Sequence, residues 1–238
     1  TEGVAEADAF VRATPVQSIL SLLAQLPQAR PDGCLVLDLG STKGAIHAAL
    51  NDLPEQFTAV GGHPMCGKET AGLAAADGEL YRQQTFVLCR NARSSETAVA
   101  FALALVEAID ARPLWLDPVR HDELVAAVSH LPYAVSAVLM RHVAAIPDEQ
   151  VVPVSATGFR DASRLAGSDP QMMLDILLTN RTAVMAQLTQ YRQQVTAFLD
   201  LLAQEDEAGL RRWLAEAQRQ HSQYRRQKWG SDSVNGKP

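Results

Sequence analysis
Three segments of this 238-residue chain carry reactive side chains at spacings that could do chemistry. The first is Asp38-Leu39-Gly40-Ser41-Thr42-Lys43, at the end of the apolar run Leu35 to Leu39. In doubly wound sheets the carboxyl ends of strands face the ligand crevice, so a hydroxyl pair and an ammonium are well placed there. A helix start with a solvated lysine reads equally well from spacing alone. The second is Gly61-Gly62-His63-Pro64-Met65-Cys66-Gly67-Lys68-Glu69, just after another short apolar run. The glycines allow a ligand close approach, and Pro64 stiffens the chain after His63. A histidine held this way can act as a general base near neutral pH; a turn histidine bonded to backbone is the plainer alternative. The third is helical: Ser129-His130-Leu131-Pro132-Tyr133, with His121 nine residues earlier and Phe159 to Arg164 beyond. A histidine in an apolar stretch such as VAAVSHLPYAV is more often core than catalyst. Arg164 precedes a capped helix and could clamp a carboxylate with both arms of its guanidinium. A surface ion pair is the commoner fate of a single arginine.

The elements that must hold these residues follow from hydrophobic period. Strands are expected at Ala9–Ala13, Leu35–Leu39, Phe57–Val60 and Thr85–Cys89, the second reading as buried on both faces. Helices are expected at Val16–Leu26, Thr42–Leu50 and Glu96–Ala111. Strand–helix alternation of this kind predicts an α/β layer with a largely parallel sheet. Beyond Trp115 there is no strand signal. Asp117-Pro118 and Ser168-Asp169-Pro170 have the chemistry of helix starts. Val119–Ile146 reads as helix interrupted at Pro132. Gln171 to about Gln204 has neither Gly nor Pro and reads as one long helix packed on a partner chain. Ala208–Trp229 is an amphipathic, Arg-rich helix. The expected organisation is a partial Rossmann-like domain over 1–114, an all-helical domain over 115–230 and a polar, disordered tail over 231–238. No GxGxxG turn is present in these residues, so the chain reads as starting partway into a Rossmann sheet.

Composition excludes several classes. A 47% hydrophobic, 20% charged chain is not disordered. A net charge of −6 provides no global basic field for nucleic acid. No uncharged apolar run reaches the roughly 18 residues of a membrane span. The start lacks the basic region of a signal peptide. Three cysteines with no CxxC pair argue against a disulfide framework or a zinc site and suit a reducing cytoplasm. The expectation is a cytoplasmic protein without metal, nucleic-acid partner or membrane.

Taken together, the segments DLGSTK, VGGHPMCGKETAGL, HDELVAAVSHLPY and FRDASRLAGSDPQMMLDILLTNR resemble the prephenate and arogenate dehydrogenase family of tyrosine biosynthesis, in order and spacing over roughly residues 5–200. The opening ADAFVRATPV resembles the family's strand beyond its glycine loop. The resemblance implies an NAD- or NADP-dependent oxidative decarboxylation of prephenate or arogenate, a small-molecule substrate and a helical dimerisation domain forming a homodimer. It implies that His63 sits at the reacting hydroxyl and that Ser41 orients it and touches the nicotinamide. Arg164 resembles the arginine that binds substrate carboxylate, His130 lines the pocket, and Glu69 resembles a gating acid. Thr14, Pro15 and Lys43 join Ser41 on the cofactor side. Tyr133 stands where the family's SHLPH pattern has a second histidine. It belongs to the substrate side, and its presence brings arogenate forward beside prephenate. The competing reading is a catalytically silent homologue or fragment, serving as a dimeric interaction or regulatory module.

Overall fold
The structure is a computed structural model that describes residues 7–67 and 76–230. Glu69 and the 231–238 tail lie outside the described residues. The chain divides into two compact units, 1–187 and 188–238, each described by itself.

The first unit is built on a five-stranded sheet whose spatial order follows the chain. Strand β1 (Ala9–Arg12) pairs parallel with β2 (Leu35–Asp38), and β2 pairs parallel with β3 (Thr58–Pro64). Strand β4 (Thr85–Cys89) runs antiparallel to β3, and β5 (Arg112–Trp115) runs parallel to β4. The crossovers are helices α1 (Val16–Ala29), α2 (Gly44–Asn51) and α3 (Glu96–Ala108).

Alternation along the strands sorts the core into two layers. Phe10, Val36 and Ala59 face α1 and α2, packing on Ile19, Leu23, Ile46 and Leu50. Leu37 and Val60, with Phe86 and Leu88, face α3 through Ala98, Val99, Ala102 and Val106. Gly33 holds φ +80 where an added Cβ would lie 2.1 Å from the Gln56 carbonyl oxygen, so only glycine suits the turn into β2.

The sheet is mixed rather than uniformly parallel: the direction reverses between β3 and β4. An apolar run buried on both faces carries no information about direction. Strand β5 was not expected, because Arg112 and Pro113 hide it. All four of its residues are exposed, the setting in which proline is tolerated in a strand.

The helical portion begins with α4 (Pro118–Val125), where Asp117 accepts from the Val119 and Arg120 amides. A π turn (Ala126–His130) joins α4 to α5 (Leu131–Ala144). Thus the interruption attributed to Pro132 lies one turn before it, where a widened turn absorbs the missing proline donor. By length and composition Pro118–Ala144 could span a membrane, with mean hydropathy 1.5. It nevertheless buries His121, Asp122, His130 and Ser136, which tie it to the sheet and to neighbouring helices.

Short helices α6 (Val151–Val154) and α7 (Thr157–Ser163) precede a 3-10 turn (Arg164–Gly167) and α8 (Pro170–Thr179), capped by Asp169 on the Met172 amide. The expected single helix from Gln171 is broken at Asn180, and α9 (Arg181–Ala203) follows. The break comes from a side chain engaged elsewhere: the Asn180 amide donates to the Asp122 carbonyl at 2.7 Å.

The unit boundary falls inside α9. In the second unit α10 (Glu207–Trp229) packs back on α9 through Phe198 and Trp213, whose ring centroids lie 4.8 Å apart. Arg211–Glu207 and Arg219–Glu216 pairs occupy its exposed face, the solvated surface expected of this arginine-rich helix.

Candidate active site
Because β1, β2 and β3 are parallel, their carboxyl ends lie at one edge of the sheet. Thr14-Pro15, Gly40-Ser41 and His63-Pro64 follow or close those strands. Thr14 and Pro15 are exposed, and Ser41 is half-buried. A cleft of about 470 Å³ opens there. Ser41, His63, Pro64, Met65 and Cys66 form its sheet side; His130, Tyr133 and Arg164 come from the helices, with Met172, Met173 and Ile176 as an apolar wall. The structure therefore gathers His63, Ser41, His130, Tyr133 and Arg164 around one cavity, although up to 123 residues separate them (Ser41 to Arg164).

Lys43 is placed differently from the expectation that it faces a cofactor. It is 1% exposed, and its ammonium is bonded to the Asp38 carboxylate and, at 2.6 Å, to the Gly62 carbonyl. Asp38 also accepts from the Gly40 and Gly62 amides at 3.0 and 3.3 Å. This buried pair locks the end of β2 to the end of β3, and so sets Ser41 beside His63. Arg164 starts the 3-10 turn that precedes the capped helix α8. The Ala166 amide of that turn donates to Ser136 Oγ on α5 at 3.1 Å.

Two histidines nine residues apart that are both buried need a helical irregularity. At about 100° per residue, positions nine apart point to opposite sides of an α-helix. The π turn inserts one residue and rotates the remainder by roughly 100°, so His121 and His130 are both fully inside. Asn180 fixes the tautomer of His130. Its amide nitrogen must face the Asp122 carbonyl, so it donates to His130 Nδ1 at 3.3 Å as well. That leaves the hydrogen on His130 Nε2. Burial, opposed by Asp122 and aided by His121, lowers the His130 pKa to about 4. His130 is therefore a neutral donor at pH 7.

His63 is held well below the ordinary histidine range, first by burial, then by the Lys43 ammonium, with the neighbouring bases His121 and His130 acting in the same direction. It is a neutral imidazole at physiological pH, able to accept a proton. Its Nδ1 lies 2.9 Å from His121 Nε2, and His121 Nδ1 lies 2.8 Å from Asp122 Oδ1. Burial pushes the Asp122 carboxyl up, but the His121 bond and the Lys43 and Gly44 amides outweigh it and hold the group below the usual carboxylate range. Sequence reading assigned no role to His121 or Asp122. The available signal was the HD pair at the start of a capped helix, in the same segment as His130. Asp175 was also missed: it accepts from the Gln17 amide at 3.2 Å and so ties α8 to the start of α1.

Comparison with known proteins gives one family over most of the chain. The family profile "Prephenate dehydrogenase, nucleotide-binding domain" matches residues 1–114, and "Prephenate dehydrogenase, dimerization domain" matches 117–216. A prephenate dehydrogenase of Bacillus subtilis is 31% identical over 221 residues, covering 90% of this chain and 59% of that protein. A cyclohexadienyl dehydrogenase of Zymomonas mobilis is 28% identical over 208 residues, covering 86% and 71%. The chain thus spans less than two thirds of the length of the Bacillus relative. Among solved structures, prephenate dehydrogenase from Aquifex aeolicus with hydroxyphenyl propionate and NAD+ superposes with TM-score 0.83 at 26% identity, covering 91% of this chain and 76% of that one. Synechocystis arogenate dehydrogenase superposes with TM-score 0.78 at 28% identity, covering 93% and 80%.

Proposed function
Because the chain belongs to the prephenate and arogenate dehydrogenase family, we propose that it serves the oxidative decarboxylation of prephenate to 4-hydroxyphenylpyruvate, or of arogenate to tyrosine, with NAD or NADP. The observation that carries this reading is one cleft lined by a neutral base, a hydroxyl, a neutral donor and an arginine at the carboxyl ends of parallel strands. The chemistry of that edge fits a dinucleotide: Thr14, Pro15 and Ser41 would hold its nicotinamide end. When bound, the oxidised nicotinamide supplies the hydride acceptor.

The remaining roles fall to this chain. The neutral His63 ring accepts the hydrogen of the substrate's ring hydroxyl as the ring carbon beneath it loses hydride and the oxygen becomes a carbonyl. Loss of the ring carboxylate as carbon dioxide then returns an electron pair to the ring. The ring becomes aromatic, and His63 hands the hydrogen back to the phenol oxygen. Arg164 pairs with a substrate carboxylate, and His130 Nε2–H donates to a second acceptor. Met172, Met173 and Ile176 keep water from that side. Lys43 acts from behind the sheet end by holding Ser41 and His63 in register. The Tyr133 phenol can donate or accept, so it serves either the keto side chain of prephenate or the ammonium of arogenate.

The protein is read as a cytoplasmic homodimer. The unpaired cysteines Cys34, Cys66 and Cys89 support the compartment. The exposed apolar residues Val138, Met140, Leu178 and Met185 support self-association; a monomer mass by light scattering would contradict it. The deciding assay follows the near-ultraviolet absorbance of reduced nicotinamide, with NAD or NADP and each substrate in turn. Turnover supports the reading and identifies substrate and cofactor together. Silence of this chain and of an upstream-extended chain would favour the non-catalytic dimeric module.

A further inference from the structure
The ring nitrogen of His63 that does not serve the cleft is engaged in a buried chain of hydrogen bonds. His63 Nδ1 meets His121 Nε2 at 2.9 Å, with the rings edge to face at 70°. His121 is fully buried, and its Nδ1 meets Asp122 Oδ1 at 2.8 Å. A carboxylate only accepts, so His121 carries a hydrogen on Nδ1, and a ring with that single hydrogen presents a bare Nε2. His63 must then donate from Nδ1 and keep Nε2 bare. Asp122 cannot turn away, because its two oxygens also accept from the Lys43 amide at 2.7 Å and the Gly44 amide at 2.8 Å.

Charge around the chain is arranged to suit. Lys43, at the start of α2, faces Asp38 on β2, and the two charges cancel. His130 on the π turn is neutral, and Cys89 on β4 is a thiol, its pKa pushed up to about 12 chiefly by burial. Asp122 is left as the negative charge against which a cation on His63 or His121 can be balanced.

We propose that His121 and Asp122 are positioning residues for the reaction, holding His63 in the tautomer with a bare Nε2 and sharing the positive charge that forms when that nitrogen takes the hydroxyl hydrogen. The bond changes balance within the chain: His63 Nε2–H forms as the substrate O–H breaks, and Nδ1–H leans toward His121. The catalytic half of this inference rests on the dehydrogenase reading; the tautomer half does not.

The test is nitrogen-15 NMR of the histidine rings in the 238-residue chain, with His63→Gln used to assign the His63 signals. The parent should show His63 with hydrogen on Nδ1 and bare Nε2. His121→Phe removes the acceptor and should move the hydrogen to Nε2. His121→Gln offers an amide oxygen in its place and should restore the parent tautomer without restoring the shared charge. In turnover, His121→Phe should lower kcat about 100-fold or more, the scale of a positioned base. Dinucleotide affinity should stay within about three-fold, as for an interaction made only in the transition state. His121→Gln should lie between the two. A His63 bearing hydrogen on Nε2 in the parent, or a doubly protonated His121, would overturn the proposal even if His121→Phe fails to fold. The expected tautomers in a chain that turns over neither substrate, with or without an upstream extension, would instead sink the dehydrogenase reading and leave the positioning role standing.

Discussion
Replacing Lys43 by methionine isolates the buried pair that joins the ends of β2 and β3. Both side chains of the Asp38–Lys43 pair are 1% exposed. With the ammonium gone, the donors left to Asp38 among the described residues are the Gly40 and Gly62 amides, at 3.0 and 3.3 Å. Two neutral amides do not balance a full charge in a buried site, and removing one partner of such a pair costs about 3–5 kcal/mol. Methionine fills most of the volume of the lysine stem, so little of this comes from a cavity. A protein of ordinary stability has about 5–15 kcal/mol to lose, so Lys43→Met should remain folded but with a clearly lowered midpoint. Adding Asp38→Asn removes the stranded charge, and the double variant should return to within about 2 kcal/mol of the parent. Urea unfolding followed by circular dichroism measures both, provided the slope m is unchanged. A second readout comes from His63. Burial is the main cause of its lowered pKa and Lys43 the next, so its titration should move part of the way back up in Lys43→Met. A single variant within about 1 kcal/mol of the parent, or a double variant worse than the single, would refute the reasoning.

Other outcomes follow from the same geometry. His130 titrates at about 4 in the fold against an ordinary 6.5. The unfolded chain therefore binds the extra proton as pH falls below about 6.5, and roughly 3 kcal/mol of stability is lost by about pH 4. His63 acts in the same direction, so the His130 share is the difference between the acid slopes of the parent and of His130→Leu; equal slopes would contradict it. His63→Asn should abolish turnover while dinucleotide affinity stays nearly intact; activity within a few-fold of the parent would remove His63 from the chemistry. Arg164→Ala should act mainly on KM for the substrate, and an unchanged KM would take Arg164 out of the site.

Much of the α/β layer is legible locally. Leu35–Asp38 and Thr85–Cys89 are runs that only a doubly covered strand needs, and Asp117-Pro118 and Asp169-Pro170 satisfy the first amides of the helices they open. The same rules miss β5, because an exposed edge strand can carry proline. They also miss the break at Asn180, because neither glycine nor proline marks it.

The site divides the same way. Residue type and spacing bring forward Ser41, His63, His130 and Arg164 only as candidates beside plainer readings; the resemblance to the dehydrogenase family gives them roles and adds Tyr133. Sequence alone does not say that Lys43 turns inward to Asp38, nor that His121 and Asp122 stand behind His63. Those partners lie 58 residues from His63 or more across the chain. Which side chain fills the space behind a strand end depends on how the helix that packs there is rotated. The π turn sets that rotation, and hydrogen bonds between distant elements hold it. Local propensity determines which elements form, whereas the tautomer and charge of each histidine depend on what packing places within about 3 Å of its nitrogens.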